Sequence, residues 1–262
     1  MGDIFFAKII ENKQIAQDIF DLRMRAAPVY AAKAAAGQFL GIYTGSAAML
    51  LPRPLSICEI DAADGVFRVV YRVIGGGTQE IAGFAAGDEL RVLGPLGNGY
   101  TIDANCRNIA IVGGGLGVPP LLELAASIRK TSPHAKIAVY LGFRDKSQII
   151  LEKDFSKYAD EVTVFTDDGS YGTRGNVLDA MPQESSFDIV YGCGPKPMLK
   201  ALAKYADQED LPCFVSVEEH MACCVGTCLA CAVKARHDDG CVVNKRACYD
   251  GPVFNAKELV WE

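Results

Sequence analysis

One short run near the C-terminus restricts this chain more than any other feature. Cys223, Cys228 and Cys231 stand in C-x4-C-x2-C order, and Cys241 and Cys248 follow at a distance. That order folds three thiolates around a plant-type 2Fe-2S cluster, with a fourth cysteine arriving from farther along. Such a cluster moves single electrons, so the residues upstream should hold something that exchanges electrons with it. Of the ten cysteines, six crowd between 223 and 248, while Cys58, Cys106, Cys193 and Cys213 are scattered. Clustering favours a metal over cross-links. Structural zinc is the competing metal reading, but zinc sites prefer closely paired C-x2-C units, and only Cys228 with Cys231 makes one.

The start of the chain, Met1-Gly2-Asp3-Ile4-Phe5-Phe6, lacks the basic residues and long apolar core of a secretory signal. The longest uncharged stretch, 34–52, is interrupted by Gly37, Gly41 and Gly45, and Gln38, Thr44 and Ser46 would need partners in lipid. No membrane span is expected, and the cytoplasm is the expected location. A net charge of −6 argues against nucleic acid as the main partner. At 262 residues, half of them apolar, the chain exceeds what one core usually serves. The patterns below divide it at about 100 and 218.

Residues 1–100 carry short β-prone runs, at 39–43, 66–73 and 89–93, punctuated by Gly and Pro. Runs of that kind predict a small antiparallel β-barrel. Within it, Arg53-Pro54-Leu55-Ser56 sets a cation, a rigid kink and a hydroxyl on one strand-like segment, which suits a bound diphosphate and a polar ring edge. The same residues also fit a turn before an edge strand with a solvated Arg. Gly75-Gly76-Gly77-Thr78 offers bare N–H groups and a hydroxyl, as a phosphate cradle does and as a hairpin loop also does. The run 94–99 reads as a tight connection out of the barrel.

Residues 101–218 alternate strands with helical segments. The apolar run 108–112 is followed directly by Gly113-Gly114-Gly115-Leu116-Gly117, and Val118-Pro119-Pro120 opens a helix. Strand, glycine loop and helix start read as a dinucleotide site, since bare backbone can approach the pyrophosphate at the helix N-terminus, although the spacing differs from G-x-G-x-x-G and glycine loops also serve simple turns. Further strands at 137–142, 162–166 and 188–191 predict a parallel, doubly wound sheet. Asp167 and Asp168, after the third run, would repel a ribose 2′-phosphate, which favours NAD over NADP. Gly192-Cys193-Gly194-Pro195 closes the last strand at the carboxyl edge, where Cys193 is the thiol of interest outside the cysteine run; burial as a small hydrophobe is the commoner fate of such a residue.

Taken in order, Arg53-Pro54-Leu55-Ser56, Gly75-Gly76-Gly77-Thr78, Gly113–Pro120 and Gly192-Cys193-Gly194-Pro195 resemble the ferredoxin-NADP reductase superfamily over roughly the first 218 residues. The resemblance implies FAD on the Arg53–Ser56 segment, with Arg53 on its phosphate and Ser56 near its ring, and Cys193 near the nicotinamide. The tail, Ser216 to Cys231 and then Arg246-Ala247-Cys248-Tyr249-Asp250-Gly251-Pro252-Val253-Phe254, is similar to electron transfer subunits of class 1B dihydroorotate dehydrogenases. That family implies Cys248 as the fourth cluster ligand with Cys223, Cys228 and Cys231. It also implies an FMN-containing catalytic partner in a hetero-oligomer, and a relay from that FMN through 2Fe-2S and FAD to NAD+ in pyrimidine biosynthesis. No dihydroorotate site is expected on this chain. Two residues depart from the family pattern: Cys224 stands where relatives carry Gly, and Gly76 stands where Lys is common. A reductase subunit of the same architecture in a ferredoxin-linked transhydrogenase or a sulfhydrogenase is the rival reading.

Overall fold

In the computed structural model, residues 2–182, 186–237 and 239–261 are described. The chain opens with a long hairpin, β1 (Asp3–Ala16) and β2 (Ile19–Arg25), which turns at Asp18, φ 57°. Aspartate tolerates that left-handed conformation better than most side chains. Then come α1 (Pro28–Ala31), β3 (Phe39–Ile42), β4 (Arg53–Asp61), β5 (Val66–Arg72), α2 (Gly76–Ala82) and β6 (Glu89–Leu96). The six strands close into a barrel in the order β1-β2-β5-β4-β3-β6, every neighbouring pair antiparallel. Along β1 the side chains alternate as the pleat requires, Phe5, Ala7 and Ile9 inward and Ile4, Phe6, Lys8 and Ile10 outward. The inward set packs with Leu22, Met24, Leu40, Ile57 and Phe67.

The barrel expectation holds, with two local differences. The β1–β2 hairpin supplies two strands that the Gly/Pro punctuation did not single out. The run 94–99 is not wholly a connection, because β6 continues through Gly94, Pro95 and Leu96, whose register with β1 and β3 keeps them in the barrel wall. The chain leaves the barrel only at Gly97.

The second unit is the expected parallel sheet. It consists of β7 (Asn108–Gly114), α3 (Val118–Thr131), β8 (Lys136–Phe143), α4 (Glu152–Phe155), β9 (Glu161–Thr166), β10 (Thr173–Arg174), β11 (Ile189–Cys193), α5 (Lys196–Gln208) and β12 (Cys213–Ser216). Alternate residues of β7 serve opposite faces. Ile109 and Ile111 pack with α3 residues Leu121, Leu124 and Ile128, while Ala110 and Val112 pack with α5 residues Leu199 and Leu202. Burial on both faces is why β7 reads as an unbroken apolar run. The last residues form the hairpin β13 (Ala232–Arg236) and β14 (Val242–Arg246), and then β15 (Val253–Asn255). β15 adds antiparallel to β12, so the sheet runs β10-β9-β8-β7-β11-β12-β15.

Barrel and sheet are joined by polar contacts and a shared core. Buried Arg68 of β5 donates to Asp21 and Glu59 within the barrel and to Asp154 of α4 at 3.3 Å. Burial opposes its charge, but the hydrogen-bonded carboxylates outweigh that and raise its pKa. Glu123 of α3 accepts from the Ile60 N–H of β4 at 2.8 Å. Ile19, Cys58 and Val70 of the barrel lie in one apolar cluster with the α3 side of the sheet. Among the described residues no helix is long and apolar enough to cross a membrane.

Candidate functional site

A single cleft of about 660 Å³ runs between the two units and gathers most of the motifs read from the sequence. Its barrel wall is Arg53, Pro54, Leu55 and Ser56 with Gly75, Gly76, Gly77 and Thr78. Its sheet wall is Leu116, Gly117, Cys193 and Ser216, and Glu218, Glu219, His220 and Met221 lead out of it toward the cysteine run.

On the barrel side, β4 begins at Arg53, and its Nη1 donates to Leu51 O. The guanidinium lies against the first turn of α2, where a Cβ on Gly77 would overlap it. Arg53 and the free N–H groups of Gly76 and Gly77 therefore share one surface, as a diphosphate needs. Thr78 has another task. Its hydroxyl accepts from the N–H groups of Ile74 and Gly75 and donates to Gly75 O at 3.0 Å, so it shapes the loop and leaves phosphate binding to backbone and Arg53.

On the sheet side, β7 runs into Gly113, Gly114 and Gly115, and Gly117 leads into α3. Gly117 touches the backbone of Cys193 and Gly194 so closely that a Cβ there would overlap the Cys193 carbonyl. This contact brings the glycine loop and the Gly192–Pro195 turn together at the sheet's carboxyl edge, where ligands bind in such folds. Cys193 is buried, and burial pushes its thiol up to about 12, with a hydrogen bond from Ser216 opposing. It is a neutral thiol at physiological pH. Asp168 is not brought into the cleft. It follows β9, separated from β7 by β8, and its carboxylate accepts from the Ser170 N–H at 2.9 Å.

The thiols of the C-terminal run fall into two pairs. The Cys228 N–H donates to Cys223 Sγ at 3.4 Å, and the Cys248 N–H donates to Cys231 Sγ at 3.4 Å. Burial works against a Cys223 thiolate, yet N–H groups of Cys228, Val225 and Thr227 converge on it and hold its pKa down to about 6. Cys248 moves the other way, to about 12, through burial and the adjoining Cys231. Among the described residues no three His, Cys, Asp or Glu side chains are grouped as a single-ion site would require. Two pairs of thiols fit two irons, and thiolate-directed N–H groups fit sulfur ligands of a cluster. Cys241 sits exposed at the β13–β14 turn, its N–H bonded to Asp239. Cys224 is buried with φ 63°, in the left-handed region that favours glycine.

Comparisons with known proteins agree with this geometry. A model of the "iron-sulfur cluster binding domain of dihydroorotate dehydrogenase B" matches residues 218–260, and one of the "oxidoreductase NAD-binding domain" matches 111–204. The electron transfer subunit of dihydroorotate dehydrogenase B (NAD(+)) from Clostridium perfringens is 38% identical over 98% of both chains. The chain belongs to the dihydroorotate dehydrogenase B electron transfer subunit family. A second member of this family, from Geobacillus kaustophilus, is 43% identical over 86% of each chain. Among solved structures, an NADH-dependent reduced ferredoxin-NADP oxidoreductase described with flavin-based electron bifurcation superposes with a TM-score of 0.85 at 33% identity, over 97% of this chain and 90% of that one.

Two cleft residues carry no motif that announces them. Arg72 at the end of β5 and Lys196 at the start of α5 line the same space, as does Ser216 at the end of β12, where the tail resemblance begins. Their common signal is position: each is a polar residue at the end of an element that the fold turns toward the cleft.

Proposed function

We propose that this chain is the NAD-linked electron transfer subunit of a dihydroorotate dehydrogenase, working in the cytoplasm with an FMN-containing catalytic subunit in a hetero-oligomer. The observation that carries the reading is the cleft itself, which joins the Arg53 and glycine surface, Cys193 and the lead-in to the cysteine pairs in one continuous space. Flavin exchanges a hydride with nicotinamide and single electrons with an iron-sulfur cluster, which is the chemistry these groups supply when bound.

In this reading residues 1–100 hold FAD, 101–218 hold NAD and 219–262 hold the 2Fe-2S cluster. Arg53 and the N–H groups of Gly76 and Gly77 hold the FAD diphosphate, with Thr78 bracing their loop, and Pro54, Leu55 and Ser56 line the ring's side of the cleft. Gly113, Gly114, Gly115 and Gly117 admit the NAD pyrophosphate to the start of α3. Cys193 presents its protonated sulfur toward the nicotinamide, and Ser216 fixes its direction. Cys223, Cys228, Cys231 and Cys248 ligate the cluster.

The test is reconstitution. The purified chain alone is expected to leave dihydroorotate unoxidised, and addition of the FMN-containing partner should produce NAD+-coupled oxidation. Robust dihydroorotate oxidation by the chain alone would sink the assignment. The likeness to the bifurcating oxidoreductase favours a second reading, a subunit of a ferredoxin-linked complex. Co-purification with a ferredoxin-dependent flavoprotein instead of an FMN barrel protein would select it.

A further inference from the structure

The loop that follows Cys248 is gripped by the end of the barrel. Where β6 ends, Asn98 donates its backbone N–H to Gly251 O at 2.6 Å, and its side-chain Nδ2 donates to Asp250 O at 3.0 Å and Tyr249 O at 3.3 Å. The preceding Gly97 has φ 75°, and a Cβ there would stand 2.6 Å from Pro252 Cδ and 2.8 Å from Gly251 O. Only glycine permits this approach, on grounds of both space and dihedral. The gripping loop is itself anchored in the barrel, because Gln38 Nε2 donates to Gly97 O at 2.7 Å and the Tyr100 N–H donates to Ala36 O at 2.8 Å.

The gripped loop is equally taut. Arg246 pairs with Asp250 at 2.9 Å, and the Val217 N–H donates to Pro252 O at 3.0 Å. Pro252 lines the cleft beside Phe39. From Asn98 the chain of contacts therefore reaches back to Cys248 and forward to the cleft wall.

We propose that Asn98 is a positioning residue: its amide clasps carbonyls 249 and 250 and so fixes the distance between the thiol pair Cys231/Cys248 and the cleft. This rests on the cofactor reading above. An electron passing between the cleft and the thiol pairs tunnels, and its rate falls steeply as the gap grows, whereas binding of either group depends on other residues. A clasp that sets the gap thus affects transfer without affecting content.

The experiment compares the complete chain with Asn98→Ala and the isosteric Asn98→Asp, which exchanges the donor for an acceptor facing two carbonyls; Asn98→Gln restores a donor. Flavin and iron content are measured first, then amide hydrogen exchange at 249–251, then stopped-flow absorbance after NADH. Both donor-less variants are expected to keep wild-type flavin and iron, to exchange faster at 249–251, and to bleach the flavin at the wild-type rate. Cluster bleaching should then slow several-fold, the direction a lengthened tunnelling gap gives, with partial recovery in Asn98→Gln. Cluster bleaching at the wild-type rate despite faster exchange overturns the proposal. So does loss of iron from both variants, which would make Asn98 a retaining residue instead of a spacing one. A wild-type protein without flavin or iron would instead refute the cofactor reading itself.

Discussion

At Gly117 the absence of one methyl group holds two loops together. A Cβ there would overlap the Cys193 carbonyl, and backbone on backbone cannot yield as a side chain can. Gly117→Ala is expected to destabilise the protein by about 2 kcal/mol and to raise the KM for NADH while flavin content stays at the wild-type level. Denaturant titration and steady-state dye reduction check both, and an unchanged KM would count against the glycine loop as the nucleotide's seat. Cys228 makes the complementary case. It is exposed and its N–H bonds to Cys223 Sγ, so Cys228→Ser should abolish the cluster's visible absorption, leave FAD bound and keep NADH-to-dye activity largely intact. Loss of FAD from that variant would show that the two sites do not assemble separately.

At the scale of elements, the Arg68 cluster decides how the barrel meets the sheet. Arg68→Met leaves Asp21, Glu59 and Asp154 facing one another at a largely buried joint, and removing one partner of such a group costs about 3 kcal/mol or more. A fall in unfolding free energy of that size is expected from denaturant titration, and a change under about 1 kcal/mol would mean the joint is held by the apolar contacts alone. Much of the architecture around this joint was legible in the chain. The run 108–112 declared its buried strand, and Arg53–Ser56, the glycine loops and the C-x4-C-x2-C order carried residue types whose chemistry is local. What escaped is non-local. Asn98 meets Tyr249 and Asp250 across 151 and 152 positions, and Val253–Asn255 gives no sign in its three residues that it will complete a sheet edge formed by β12. The β1–β2 hairpin was hidden because Ile4, Phe6 and Ile10 face outward and break the apolar–polar alternation, and because it turns at Asp18 with neither Gly nor Pro.

For the molecule as a whole, the buried thiols make alkaline pH a stress. Burial raises the pKa of Cys58, Cys193 and Cys213, the last two to about 12, from an ordinary value of 9.0. The unfolded chain therefore loses these protons at a lower pH than the folded one does. The stabilisation is complete below about 9 and is lost as pH rises toward 12, by up to about 1.4 kcal/mol per thiol per pH unit in that window. Thermal midpoints should be flat in this respect between pH 7 and 8.5 and fall steeply near 10; a midpoint unchanged at 10 would contradict the burial of these sulfurs. The central claim, that one chain carries hydride and single-electron chemistry in a continuous cleft, is tested most directly by a visible and EPR spectrum of anaerobically purified protein before and after NADH. The account predicts overlapping flavin and 2Fe-2S absorption that bleaches on adding NADH, together with the appearance of a reduced-cluster EPR signal. A colourless protein with stoichiometric zinc, or a coloured one that NADH leaves unchanged, would contradict it.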